Sequence, residues 1–140
     1  MKSLVVYESK FGNTEKLAQA IAQAIDGKAV KVDQFEESML EGLEVLVVGG
    51  PIWAWNIAAP VKGFLKKLET KELNGVKGGA FDTRVDLKWS GDAAKKIDKK
   101  LQKMGLESIL QPAAFFVENK EGPLREGEIE RAVTWVKQIN

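Results

Sequence analysis

Cysteine and histidine are both absent from this 140-residue chain. Without cysteine there is no disulfide framework, no thiolate nucleophile and no thiolate metal site. Without histidine the usual general base and the commonest metal ligand are missing. A Ser-His-Asp triad and a His-ligated zinc are therefore excluded. No apolar run approaches the length of a membrane span. An excess of either charge is lacking too: 21 Lys and Arg stand against 20 Asp and Glu, a net of +1. That balance, with no basic stripe interleaved with aromatics, argues against nucleic-acid binding. Met1-Lys2-Ser3 leads straight into an apolar stretch with no signal-peptide pattern. The expectation is a single cytoplasmic domain over residues 1–140, without membrane association.

What is present is ordinary for a globular chain: 44% apolar and 29% charged residues. A chain of this length buries roughly two-thirds of its unfolded surface and needs no staple. Lys2–Glu8 reads as a buried strand, apolar and β-branched in the middle. Thr14–Ile25 reads as a helix with Leu17, Ala20, Ile21, Ala24 and Ile25 on one face, stopped by Asp26-Gly27. Ala29–Val32 is a short strand, and the acidic stretch Asp33–Gly42 holds a short helix around Met39 and Leu40. Leu43–Val48 is the most hydrophobic strand and suits a position covered on both faces.

Gly49-Gly50-Pro51 is expected to end that strand. Ile52-Trp53-Ala54-Trp55-Asn56 follows as a loop, and Pro60 opens a helix with Val61, Phe64, Leu65 and Leu68 inward. Lys77–Asp82 is a fourth strand, and Thr83–Ser90 a loop carrying Arg84 and Trp89. Gly91–Met104 is a helix with Ala94, Ile97, Leu101 and Met104 inward, ended by Gly105. Leu106–Leu110 and Ala113–Val117 make a fifth strand interrupted at Pro112. After the charged loop Glu118–Gly127, Glu128–Ile139 is a helix with Ile129, Ala132, Val133 and Val136 inward and Trp135 at a core edge.

Strand–helix alternation of this kind implies an α/β fold: a doubly wound parallel sheet with helices on both faces. Five strands fit the order 2-1-3-4-5, a three-layer sandwich. In it the strands ending at Glu8 and Val48 are neighbours, and the loops after them flank the crevice where such sheets bind ligands. One of those loops is Ser9-Lys10-Phe11-Gly12-Asn13-Thr14. A loop from a buried strand into a helix aims backbone N–H groups at one point, beside the helix's partial positive charge. Ser9, Asn13 and Thr14 add side-chain donors, and Gly12 lets the backbone bend close to a ligand. These features suit a phosphate. They also suit a plain turn with Asn13 or Thr14 as N-cap. Across the crevice stand Pro51, Ile52, Trp53, Ala54, Trp55 and Asn56; the next strand end contributes Asp82, Thr83, Arg84 and, farther on, Trp89. A phosphate cradle beside aromatic loops suits a flat ring with a phosphate tail. Any one of these tryptophans taken alone also fits a core or capping position.

Over essentially its whole length the chain resembles the flavodoxin family. Ser9-Lys10-Phe11-Gly12-Asn13-Thr14-Glu15 is similar to that family's phosphate motif, Ser/Thr-x-Thr-Gly-Asn-Thr-Glu. Gly49-Gly50-Pro51-Ile52-Trp53 resembles its next loop, where an aromatic stacks on the isoalloxazine, and Trp89 is placed like a second flanking aromatic. Flavodoxin itself exemplifies the 2-1-3-4-5 order and its crevice, so that match belongs to the resemblance. A long-chain insertion is lacking, which suits the short type. The resemblance implies a non-covalent FMN and an electron carrier, with a donor reductase and an acceptor enzyme as partners. Phe11 departs from the family's usual threonine, and Lys10 adds a cation there. Ala54 stands where many members have glycine, at a peptide that can require a positive φ.

A receiver domain shares the sheet order but needs an aspartate where this chain has Gly49-Gly50. A dinucleotide fold wants Gly-x-Gly-x-x-Gly after the first strand, and the P-loop pattern is missing as well. Two other readings keep the fold: an FMN-dependent NAD(P)H:quinone reductase of the same class, and a binding module without flavin. Lys95, Lys99 and Lys103 recur every four residues along one helix, with Lys96 beside them. Such a row is a common solvated face, and it also suits docking of an acidic partner.

Overall fold

A computed structural model describes residues 2–87 and 91–139. Trp89, named above as a flanking aromatic, lies outside the described residues. The strands are β1 (Ser3–Tyr7), β2 (Lys28–Lys31), β3 (Val45–Trp53), β4 (Asn56–Ile57), β5 (Lys77–Val85), β6 (Glu107–Ser108) and β7 (Ala113–Val117). The helices are α1 (Asn13–Ala24), α2 (Ala59–Leu68), α3 (Ala93–Lys103) and α4 (Glu128–Val136). The sheet runs β2-β1-β3-β5-β6, with β7 also on β5. These pairings are all parallel, and only β4 runs antiparallel, against the end of β3. β6 and β7 are the two pieces of the expected fifth strand, so the order 2-1-3-4-5 is the one observed.

Each sheet face carries its own core. Leu4, Val6, Leu46 and Val48 point to one side, where Phe64 and Leu65 of α2 and Ile97 and Leu101 of α3 cover them. Val5, Val45, Val47 and Phe81 point to the other, under Leu17 and Ile21 of α1 and Ala132 and Val136 of α4. This two-sided burial is why Val45–Val48 is apolar at every position rather than at alternate ones. Trp135 lies inside the second core, not at its edge. Its ring meets Phe81 and Phe115 edge-on, with centroids 6.1 and 5.8 Å away. Its indole N–H donates to the Gln111 carbonyl at 2.7 Å.

Several further sequence expectations are corrected. β3 does not stop at Val48 but runs through Gly49-Gly50-Pro51 to Trp53, in register with Phe81, Asp82 and Thr83 of β5. The glycine answers crowding, not a turn: a Cβ on Gly49 would sit 2.2 Å from the Phe81 ring. Pro51 is tolerated because β1 has already ended. Gly49 accepts from the Glu8 N–H on that side, and Pro51, two residues on, faces the same way with no strand left to receive a donor. β5 likewise extends past Asp82 to Val85, so Thr83 and Arg84 are strand residues rather than loop.

The third correction is Ile129, which is exposed, while Glu128 beside it is buried. The Glu128 carboxylate accepts the Phe116 N–H of β7 at 2.7 Å and is forked by Arg131 at 2.9 and 2.6 Å. Satisfying that edge N–H turns the first turn of α4 inward at Glu128 and Ile129 outward. Met104, expected inward, is only half-buried, just past the end of α3. The acidic stretch holds a short 3-10 turn over Glu37–Leu40 and anchors through Phe35, whose ring packs edge-on against Phe64 of α2 at 4.8 Å. Asp33, Glu36, Glu37 and Glu41 are all exposed at the surface.

Candidate functional site

The C-terminal ends of β1, β3, β5 and β7 surround a cavity of about 410 Å³. From the loop after β1 come Ser9, Lys10, Phe11, Asn13 and Thr14; from the end of β3, Pro51, Ile52, Trp53 and Ala54. β5 adds Thr83, Arg84 and Val85, and the β7 side adds Val117 and Lys120. Eleven of the sixteen residues singled out from the sequence are thus brought together. Gly12, Trp55, Asn56 and Asp82 do not line the cavity, and Trp89 falls outside the described residues.

The loop after β1 is built as a cradle. Gly12, at φ 92°, is the N-cap of α1, and no side chain caps the helix. The first turn of a helix leaves its N–H groups without intrahelical acceptors, so this end faces the cavity uncapped. The plain N-cap reading of Asn13 and Thr14 is not what is observed. Asn13 donates its side-chain amide to the Glu121 carbonyl at 3.1 Å, tying the β7–α4 loop to the cavity. Thr14 is buried, and its hydroxyl shares a 2.8 Å hydrogen bond with Thr83 of β5. Ser9 accepts the Gly12 N–H at 3.1 Å and so fixes the loop's curvature.

Charge around the cavity is of one sign. Lys10, Arg84 and Lys120 line it, and no Asp or Glu does among the described residues. Arg84 is already engaged: Asp82 accepts from it at 2.8 and 2.6 Å, and Asp92 at 3.2 Å. Asp82 is fully buried beneath and also accepts the Ala94 N–H at 2.8 Å, which locks α3 to β5. Burial pushes the Asp82 carboxyl up, while Arg84 and the Ala94 N–H act the other way. Asp82 in turn holds the Arg84 guanidinium still more firmly protonated. Lys10 carries its ammonium 5.4 Å from the Phe11 ring centroid and 5.9 Å from that of Trp53.

Trp53 is half-buried at the last position of β3. It is held by a hairpin: Ile52 and Trp53 pair with Ile57 and Asn56 of β4, leaving Ala54 and Trp55 as a two-residue turn. Ala54 has φ 50° and Trp55 φ 62°, the pattern of a type I′ turn. That geometry throws the Trp55 ring outward, 64% exposed, instead of across the cavity.

A family profile described as a flavodoxin domain matches residues 4–128. The chain belongs to the flavodoxin family. It is 30% identical over 114 residues to a flavodoxin of Maridesulfovibrio salexigens, covering 74% of this chain and 78% of that one. A flavodoxin of Clostridium saccharobutylicum is 28% identical over 100 residues, 67% of this chain, and the match spans 62% of that protein's length. Among solved structures, a flavodoxin from the domain Archaea superposes with a TM-score of 0.85 at 23% identity, covering 99% of this chain and 96% of that one. Proteins of this family bind flavin, typically FMN.

Sequence reasoning missed Val85, Val117 and Lys120. Val85 was hidden by placing the end of β5 too early. Lys120 sits in a charged loop with no local signal; only the pairing of β7 with β5 brings it to the cavity.

Proposed function

We propose that this chain is an electron carrier that holds FMN non-covalently in the cavity at the ends of β1, β3 and β5. The observation that carries this reading is the uncapped N-terminus of α1, opening onto a cavity that is lined by cations and free of carboxylates among the described residues. A dianionic phosphate suits that end and a neutral ligand does not. The Ser9–Thr14 loop would hold the phosphate, with Lys10 and Lys120 supplying charge and the Thr14–Thr83 pair a polar floor. Trp53, fixed by the hairpin, would stack on the isoalloxazine. Bound FMN supplies the electron chemistry itself, and the chain supplies binding and electrostatics. No side chain is assigned as acid, base or nucleophile. A donor reductase and an acceptor enzyme would be its partners.

Fluorescence-quenching titration tests this reading. FMN should bind, and riboflavin, which lacks the phosphate, should bind at least tenfold more weakly, since about 1.4 kcal/mol, less than one charge-assisted hydrogen bond contributes, is tenfold. Inorganic phosphate should compete with FMN and not with riboflavin. Equal affinity for the two flavins would sink the assignment.

A further inference from the structure

The strongest concentration of unpaired charge lies outside the cavity. α2 and α3 cover the same sheet face, and between them runs a groove of about 800 Å³. Lys62 and Lys66 of α2 and Lys96, Lys99, Lys100 and Lys103 of α3 line it. All six are exposed, and among the described residues none of them is in an ion pair. Among the described residues Glu69 is the only carboxylate in the lining. Beneath the lysines lie Ile57 and Leu65, both buried, and half-buried Met104.

An ordinary solvated helix face mixes charge signs, because like charges three or four residues apart repel. On α3 the pairs Lys95–Lys99, Lys96–Lys100 and Lys99–Lys103 all repel. The helix's one carboxylate, Asp98, is buried and taken up by Ser108 and Gln102. Moreover, the groove ends at Asn56, whose side-chain carbonyl accepts from Lys96 at 3.2 Å. Asn56 is the β-partner of Trp53, so one strand pairing separates the groove from the cavity.

We propose that this groove docks an acidic surface of a partner protein, placing that partner beside Trp53 at the cavity mouth. The partner's redox role rests on the electron-carrier reading. Charge complementarity names the occupant as acidic. Among the described residues the lining holds no aromatic side chain, whereas single-stranded nucleic acid is held by aromatic platforms. A concave groove admits a protein ridge between its lysine rows, which a flat anionic membrane cannot follow.

The probe is poly-L-glutamate, with binding measured by calorimetry at about 0.15 M salt, where screening removes diffuse attraction. The wild type should bind it. Lys96→Glu/Lys100→Glu should weaken binding about tenfold or more, and Lys28→Glu/Lys137→Glu, equal in charge change but away from the groove, should leave it within about twofold. Carbodiimide coupling of the probe, mapped by mass spectrometry, should concentrate on the six groove lysines. Loss of binding in both variants alike, coupling spread over all lysines, or no binding to the wild type would each overturn the proposal. So would tighter groove binding of oligothymidylate or phosphatidylserine vesicles than of poly-L-glutamate. Flavin plays no part in these readouts. A failure of FMN binding would therefore remove the partner's redox role and leave the groove's affinity for an acidic chain as measured.

Discussion

Ala54 and Trp55 hold a turn that usually recruits Asn-Gly, because both central residues need φ > 0. An L-residue with a Cβ is disfavoured there by roughly 1–2 kcal/mol, and a glycine gives back part of that through its freer unfolded chain. Ala54→Gly should therefore raise stability by about 0.5–1 kcal/mol, read as a higher urea midpoint at unchanged slope. A lowered midpoint would show that the turn is not strained. The Thr14–Thr83 pair has the opposite expectation. Thr83→Val leaves the buried Thr14 hydroxyl without its partner and should cost about 1–3 kcal/mol, again read from the urea midpoint.

At the scale of elements, Glu128 fixes α4 to β7. Burial alone would raise its carboxyl, but the Arg131 fork and the Phe116 N–H outweigh burial and hold it below the usual glutamate range. A depressed folded-state pKa gives stability that is present above the unfolded value and is lost as pH falls toward the folded one. Acid should thus weaken the wild type from about pH 4.5 downward. Glu128→Gln should be less stable at neutral pH and show a flatter acid limb. Parallel acid limbs in thermal melts would refute the assignment. Gly49→Ala drives a methyl into the Phe81 ring and should destabilise by about 1–3 kcal/mol or more. The sequence made every helix and core strand visible, because the apolar periods of α1–α4 and the unbroken run of Val45–Val48 are local signals. It misjudged the ends of β3 and β5, because Gly49-Gly50-Pro51 reads as a turn unless the ring of Phe81 and the early end of β1 are known. Most of the cavity followed from the loops at strand ends. Lys120 did not, because a lysine in a charged loop looks the same wherever the fold carries it. Trp55 was grouped with Trp53 by proximity in the chain, and the hairpin sends the two apart.

At the scale of the whole molecule, a ligand that binds only the folded chain stabilises it by mass action. FMN at about a hundred times its dissociation constant should add about 2.7 kcal/mol, and riboflavin at the same concentration much less. Differential scanning calorimetry with each flavin reads this directly, and identical shifts would point away from the phosphate cradle. A net charge of +1 also conceals how the charges are arranged. α2 touches both the turn Val32–Gln34, where the acidic stretch leaves β2, and α3 with its lysines. The acidic stretch and the lysines of α3 therefore stand on opposite sides of α2, so charges of both signs are segregated along one face of a nearly neutral protein. Such segregation should orient an approaching acidic protein more than it attracts it from afar. Near its isoelectric point of about 7.8 the protein should still be retarded on both cation and anion exchangers at low salt. Lys96→Glu/Lys100→Glu should abolish the first retention and strengthen the second.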